Sequence, residues 1–91
     1  MRLDTFLKIS RLIRSRSLAK EFTKAGLVEV NGKAAKSSYT VCTGDIVAIN
    51  RRNSRSEIRV LNIPQKKQVS KKDANTLYEV LAHRVSDSLT D

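Results

Sequence analysis

The sequence holds one cysteine, one histidine, one proline and no tryptophan, with only two phenylalanines and two tyrosines in 91 residues. Each scarcity excludes something. Cys42, standing alone, can build neither a disulfide framework nor a thiolate metal site. His83 is the only histidine, and no histidine or second cysteine lies near Cys42 in sequence to activate it, so acid–base and nucleophilic catalysis lack their usual members. With so few aromatics, stacking of single-stranded bases on a sequence-reading platform is not expected. No apolar run approaches the length of a membrane span, and the N-terminus lacks the apolar core of a signal peptide. No phosphate loop, dinucleotide fingerprint or metal-ligand cluster occurs. The expectation is one small, non-enzymatic, cytoplasmic domain that needs no metal and no cofactor and makes no membrane contact. A chain of this length buries about two-thirds of its unfolded surface, which leaves a thin core.

What is abundant is positive charge, 18 Lys and Arg against 9 Asp and Glu, a net of +9. It falls in two blocks. Residues 1–26 carry seven basic and two acidic groups, and residues 51–72 carry eight and one. The middle is neutral and residues 73–91 are net acidic. Such blocks attract polyanions by releasing condensed counterions. An anionic lipid surface would call for a bulky apolar helix face, which is missing.

Periodicity supplies the elements. Leu3, Phe6 and Leu7 lie at helical spacing over residues 2–9. Ser15 or Ser17 can cap a second helix bearing Leu18, Ala19, Phe22 and Ala25, which Gly26 would end. Then the period changes. Val28 and Val30 alternate with Glu29, and Asn31-Gly32 is a strong hairpin signal. "SSYTV", "IVAIN" and "EIRVLNI" read as strands, "RRNSRS" as a basic loop, and Cys42 as a small core or half-buried residue. Ala74, Leu77, Tyr78, Leu81 and Val85 share a helical stripe, so a C-terminal helix is expected over 71–83, started by Ser70, with His83 exposed on it. The predicted fold is α+β: two N-terminal helices packed on a small twisted antiparallel sheet, plus a short C-terminal helix. The predicted division is a helix-and-sheet unit, the polyanion-binding part, over 1–64 and a basic linker, helix and acidic tail over 65–91.

Within "RLIRSRSLAKE", residues 11–21, the apolar residues must face the sheet and the cations must face out. Arg2, Lys8, Arg11, Arg14, Arg16, Lys20 and Lys24 share that surface with only Asp4 and Glu21 to offset them, too few acids for a self-compensating face. Arg16 falls in the first turn of the second helix, where free backbone N–H groups favour an anion. Arg51, Arg52 and Arg55, with Lys66, Lys67, Lys71 and Lys72, form a second, less specific basic group. A helix-turn-helix DNA binder is the competing class; the apolar stripe on the second helix and the hairpin directly after it argue against it.

The residues from Arg2 to Ile49 resemble the S-four RNA-binding domain. The likeness rests on Arg2-Leu3-Asp4, Ser15-Arg16, Gly26, Val28 to Gly32, Lys36 with Ser38, and Val41 with Gly44-Asp45. It implies RNA held by the helix pair and the adjoining hairpin. Its site residues, carried onto this sequence, are Arg2 and Arg16, with Arg11 and Lys36 behind them. The whole chain, including "LYEVL" near the end, resembles the small bacterial ribosome quality-control proteins of the RqcP family, and less closely the heat-shock ribosome-binding family, whose members have a basic tail. The RqcP resemblance implies a monomer that binds large-subunit ribosomal RNA and the peptidyl-tRNA in the P site together, so that RqcH can extend an alanine tail. Thr5 stands where relatives often carry lysine, which removes one possible phosphate contact.

Overall fold

The computed structural model describes residues 1–65 and 69–85. Lys66, Lys67 and the acidic tail lie outside the described residues. Helix α1 spans Leu3–Ile9 and α2 spans Arg16–Lys24. Ser15 caps α2, its hydroxyl accepting from the Leu18 amide at 3.0 Å. This supplies a partner to one of the free donors of the first turn. Beyond α2, Gly26 takes φ 75°, the left-handed conformation that lets the chain turn into the sheet. Helix α1 ends differently: Arg11 adopts φ 63°, unusual for a side chain that carries a Cβ.

Strands β1 (Val28–Val30) and β2 (Lys33–Ala34) close the Asn31-Gly32 hairpin, with Val30 opposite Lys33. Strands β3 (Ile46–Arg51) and β4 (Ser54–Val60) form the longer hairpin. All five strands pair antiparallel in the order β2-β1-β3-β4-β5. One face of the sheet presents Val28, Val30, Val47, Ile49, Ile58 and Val60 to the helices, where Leu3, Phe6, Leu7, Ile13 and Ala19 meet them. Phe6 is fully buried; truncating such a residue to alanine costs about 3–5 kcal/mol.

Four sequence expectations are corrected. First, the C-terminal helix is a single turn, α3 (Lys71–Ala74), capped by Ser70. Residues Tyr78–Val85 form strand β5 instead. The open edge of β4 offers a row of backbone donors and acceptors, and pairing with it outweighs a weak helical stripe. That stripe was coincidental: Leu81 and Val85 are exposed, and only Ala74 and Leu77 of the set are buried. Glu57 pairs with Ala82 and Ile58 with Val80, so Leu81 is the extra residue of a β-bulge. Second, "SSYTV" is no strand. It makes one isolated bridge, Thr40 to Arg2. It runs beside the chain start, with the Leu3 amide donating to Tyr39 O at 2.7 Å and the Val41 amide to Met1 O at 2.9 Å. Third, the basic loop shrinks to Arg52-Asn53, because Arg51 already pairs with Ser54. Fourth, Cys42 is exposed. Its amide donates to Asp45 Oδ2 at 2.9 Å and its thiol to Thr40 O at 3.8 Å, which holds the side chain at the surface and out of the core.

The irregular segment after β2 is held by a second set of bonds. Asp45 Oδ2 accepts from the Tyr39 hydroxyl at 2.9 Å, and its Oδ1 accepts from the Asn31 amide group at 3.2 Å. Asn31 Oδ1 in turn accepts from the Ile46 amide. The two turns that the sequence marks, Asn31-Gly32 and Gly44-Asp45, therefore lock one another. Hydrogen bonding to the Asp45 carboxylate raises the Tyr39 hydroxyl above its ordinary pKa. Tyr39 is accordingly tied into the scaffold rather than presented for stacking.

Candidate nucleic-acid interface

The interface is built around a buried acid. Asp4, in the first turn of α1, is fully inaccessible to solvent. Its Oδ1 accepts from Arg2 Nε at 3.2 Å and from the Thr5 amide at 2.7 Å. Its Oδ2 accepts from Arg16 Nε at 3.2 Å and from Arg2 Nη2 at 3.4 Å. Burial pushes the carboxyl up, but the hydrogen bonds from Arg2 and Arg16 and from the Thr5 amide outweigh it, and the pKa lies below its ordinary value of 3.8. The arginine side chains remain about half exposed, at 46% and 49%. Arg16 spends only Nε on the carboxylate, so both its terminal nitrogens lack a protein partner among the described residues.

From Arg16 the charge continues along α2. Lys20 and Lys24 follow at steps of four and line one face of the helix. Lys20, Thr23, Lys24, Lys36, Ser37 and Ser38 line an open groove between α2 and the segment after β2. That segment is drawn alongside by its bonds to the chain start, among them the Asp4 amide to Ser37 O at 3.2 Å. Two cation sources twelve or more residues apart in sequence thus meet on one surface. Lys8, Arg11 and Arg14 are exposed around the α1–α2 corner, Lys8 one turn beyond Asp4 on α1.

The second basic group is arranged differently. Arg51 reaches back to the helices: Nη2 donates to Leu12 O at 2.6 Å and the guanidinium lies 5.9 Å from the centroid of Phe22. Arg55 is on the sheet face away from the helices. Its Nη1 donates to Glu29 Oε2 at 2.9 Å and to Asn50 Oδ1 at 2.7 Å, and its Nε to Glu57 Oε1 at 3.4 Å. The Arg55 and Asn50 hydrogen bonds hold the Glu29 carboxyl below its ordinary range. Arg52, exposed at the hairpin tip, has no such partners among the described residues, and Arg84 of β5 lines the same open hollow as Arg51, Arg52 and Arg55. His83 is exposed on β5, its Nδ1 2.7 Å from Ser56 Oγ.

Sequence reading missed three things. It counted Asp4 as a charge offset, although its place between two arginines in an otherwise basic block was the available signal. It grouped Lys24 with the other surface cations without joining it to Lys20 and Lys36, although the spacing of four to Lys20 places those two on one face of the helix. Arg84 could not be found while the residues after 83 were read as an acidic tail and not as part of a strand. Among the described residues, no group of three or more His, Cys, Asp or Glu is placed to hold a metal ion, and no helix is long and apolar enough to cross a membrane.

Comparison with known proteins fits this arrangement. The S4 domain family matches residues 1–47, the part that carries Arg2, Asp4, Arg16, Lys20, Lys24 and Lys36. A protein of Halalkalibacterium halodurans named RQC P-site tRNA stabilizing factor is 45% identical over 80 residues, covering 88% of this chain and 89% of its own. A Streptococcus pneumoniae protein of the same name is 39% identical and covers 98% of this chain and 100% of its own. Among solved structures, the trimeric Heat Shock Protein 15 of Vibrio cholerae superposes with a TM-score of 0.81 at 29% identity, over 90% of this chain and 82% of that one. The chain belongs to the S4 domain family and, within it, to the proteins named RQC P-site tRNA stabilizing factor.

Proposed function

We propose that the protein is an RNA-binding ribosome quality-control factor that works by binding and not by catalysis. It binds the free large ribosomal subunit carrying a stalled peptidyl-tRNA, stabilises that tRNA in the P site, and supports RqcH-dependent alanine tailing of the nascent chain. The observation that carries this reading is the pair Arg2 and Arg16, anchored on buried Asp4 at one end of the Lys20, Lys24 and Lys36 groove. Guanidinium and ammonium groups aligned on a rigid helix suit a run of backbone phosphates, and recognition of that kind follows RNA shape rather than base sequence. The contacting set is Arg2, Lys8, Arg11, Arg14, Arg16, Lys20 and Lys36, with Lys24 added, and Arg52 as the secondary contact. Residues 1–64 carry the RNA site. The acting unit is a monomer in the cytoplasm, unlike the trimer of its heat-shock structural neighbour. By touching ribosomal RNA and tRNA at once, it lowers the free energy of one tRNA position.

The test is co-sedimentation with large subunits bearing peptidyl-tRNA. Arg16→Ala is expected to abolish it while the protein still melts cooperatively. Wild-type sedimentation of the Arg2→Ala, Arg16→Ala double variant would sink the site. About five phosphate contacts would give a log–log salt slope of roughly −3.5 to −4.5. A heat-shock-type recycling role is the second reading, favoured by the likeness to Heat Shock Protein 15. It requires that alanine tailing by RqcH proceed unchanged when this protein is withdrawn.

A further inference from the structure

Asp4 does something that charge balance does not require. A carboxylate on a surface that attracts phosphate works against the attraction, and this one is placed between two half-exposed arginines of the site. It is fully buried, it is out of reach of any ligand, and both its oxygens are engaged. Each arginine meets it through Nε. That choice matters, because Arg16, held by Nε alone, keeps both terminal nitrogens for another acceptor, and Arg2, which also donates through Nη2, keeps Nη1. Among the described residues, Nη1 and Nη2 of Arg16 and Nη1 of Arg2 have no protein acceptor. Both guanidinia are held at one carboxylate, so their free terminal nitrogens extend from a single anchoring point.

We propose that Asp4 is a positioning residue that holds Arg2 and Arg16 as a two-armed clamp for a single backbone phosphate of RNA. The proposal rests on the RNA-binding reading above. Anchoring removes most of the side-chain freedom that each arginine would otherwise lose on binding, so the complex gains from a cost already met in folding. Lysine cannot replace either arginine, since an ammonium at the end of a flexible stem cannot bond the buried carboxylate and a phosphate through opposite sides of one rigid plane.

The sign of the effect separates this from simple electrostatics. Asp4→Asn removes a negative charge from the basic surface, so Coulomb attraction alone predicts tighter RNA binding. The clamp predicts weaker binding, by about tenfold, the loss expected when charge-assisted hydrogen bonds lose their alignment. Filter binding of unfractionated transfer RNA and of purified large subunits at several salt concentrations measures this, with a thermal melt of each variant. In the Arg2→Ala, Arg16→Ala background, Asp4→Asn is expected to add no further loss, because a residue acting through the arginines has nothing left to position. Normal or tighter binding by Asp4→Asn would overturn the clamp. So would a full additional loss in the double-alanine background. Should Asp4→Asn fail to fold, Arg16→Lys decides. It keeps the charge and leaves the acid in place, and it is expected to bind as poorly as Arg16→Ala; wild-type binding by Arg16→Lys overturns the proposal. If the double-alanine protein itself binds normally, the RNA site has been assigned wrongly, an outcome distinct from failure of the clamp alone.

Discussion

Two clusters of arginine and acid occupy opposite faces of the molecule, and their stoichiometry is inverted. At the start of α1 and α2, one buried acid serves two arginines, Asp4 with Arg2 and Arg16. On the outer sheet face two acids serve one arginine, Glu29 and Glu57 with Arg55. The first cluster keeps a net positive charge and directs guanidinium nitrogens outward. The second is net negative and consumes its donors within the sheet. In the sequence both lie in or beside strongly basic blocks. What differs is the long-range partner: Glu29 belongs to the neutral middle of the chain and reaches Arg55 only because β1 and β4 flank β3. A cation in the sequence becomes a ligand-binding cation only where the fold leaves its donors free.

This contrast can be broken in order of expected effect. Replacing Arg2 and Arg16 together with alanine should weaken binding to large subunits on the order of a hundredfold or more, since each lost contact to a charged group is worth about 1.5–3 kcal/mol. Replacing Lys20, Lys24 and Lys36 with alanine should reduce affinity evenly across RNA sequences and flatten the salt slope by roughly 2 to 3, one phosphate contact each. Arg55→Ala should change RNA binding by less than about twofold while lowering the melting temperature slightly, as expected for a partly exposed ion-pair network. The converse experiment sharpens the point. Glu29→Gln with Glu57→Gln frees the Arg55 guanidinium, and a few-fold rise in weak, sequence-independent RNA binding is the expected result. Acidification should spare both clusters until late. The Asp4 and Glu29 carboxyls lie below their ordinary values of 3.8 and 4.5 in the folded protein. Their stabilising contributions are therefore complete above those values and are lost only as pH falls below them toward the depressed folded values. Thermal melts between pH 7 and pH 3 should stay nearly flat to about 4.5 and then drop, and Asp4→Asn should remove part of the drop.

The helix pair was legible in the sequence because its signals are local. The Ser15 cap, the turn at Gly26 and the apolar spacing of Leu3, Phe6 and Leu7 all act within one or two turns of helix, and the structure has each of them. The Asn31-Gly32 hairpin is equally local. The failures came where a distant partner decides. Residues 78–85 carry an apolar spacing that suits a helix, yet they are held by the edge of β4, which no local pattern reveals. "SSYTV" has strand composition, but its backbone partners are the first residues of the chain. The candidate site divides along the same line. Arg16 could be singled out from its place after Ser15. That Arg51 is spent on Leu12 and Phe22, and Arg55 on Glu29, depends on strand order and register.

The left-handed backbone at Arg11 sets stability against attraction for anions. Glycine is the residue that tolerates φ 63° without strain, and a side chain there costs about 1 kcal/mol. The corner between the two helices nevertheless holds an exposed guanidinium in this conformation. Arg11→Gly should therefore relieve local strain, melt no lower than the parent, and bind RNA less well. A folding optimum and a binding optimum then diverge at a single residue, and selection for thermal resistance alone would be expected to erode this corner of the interface first.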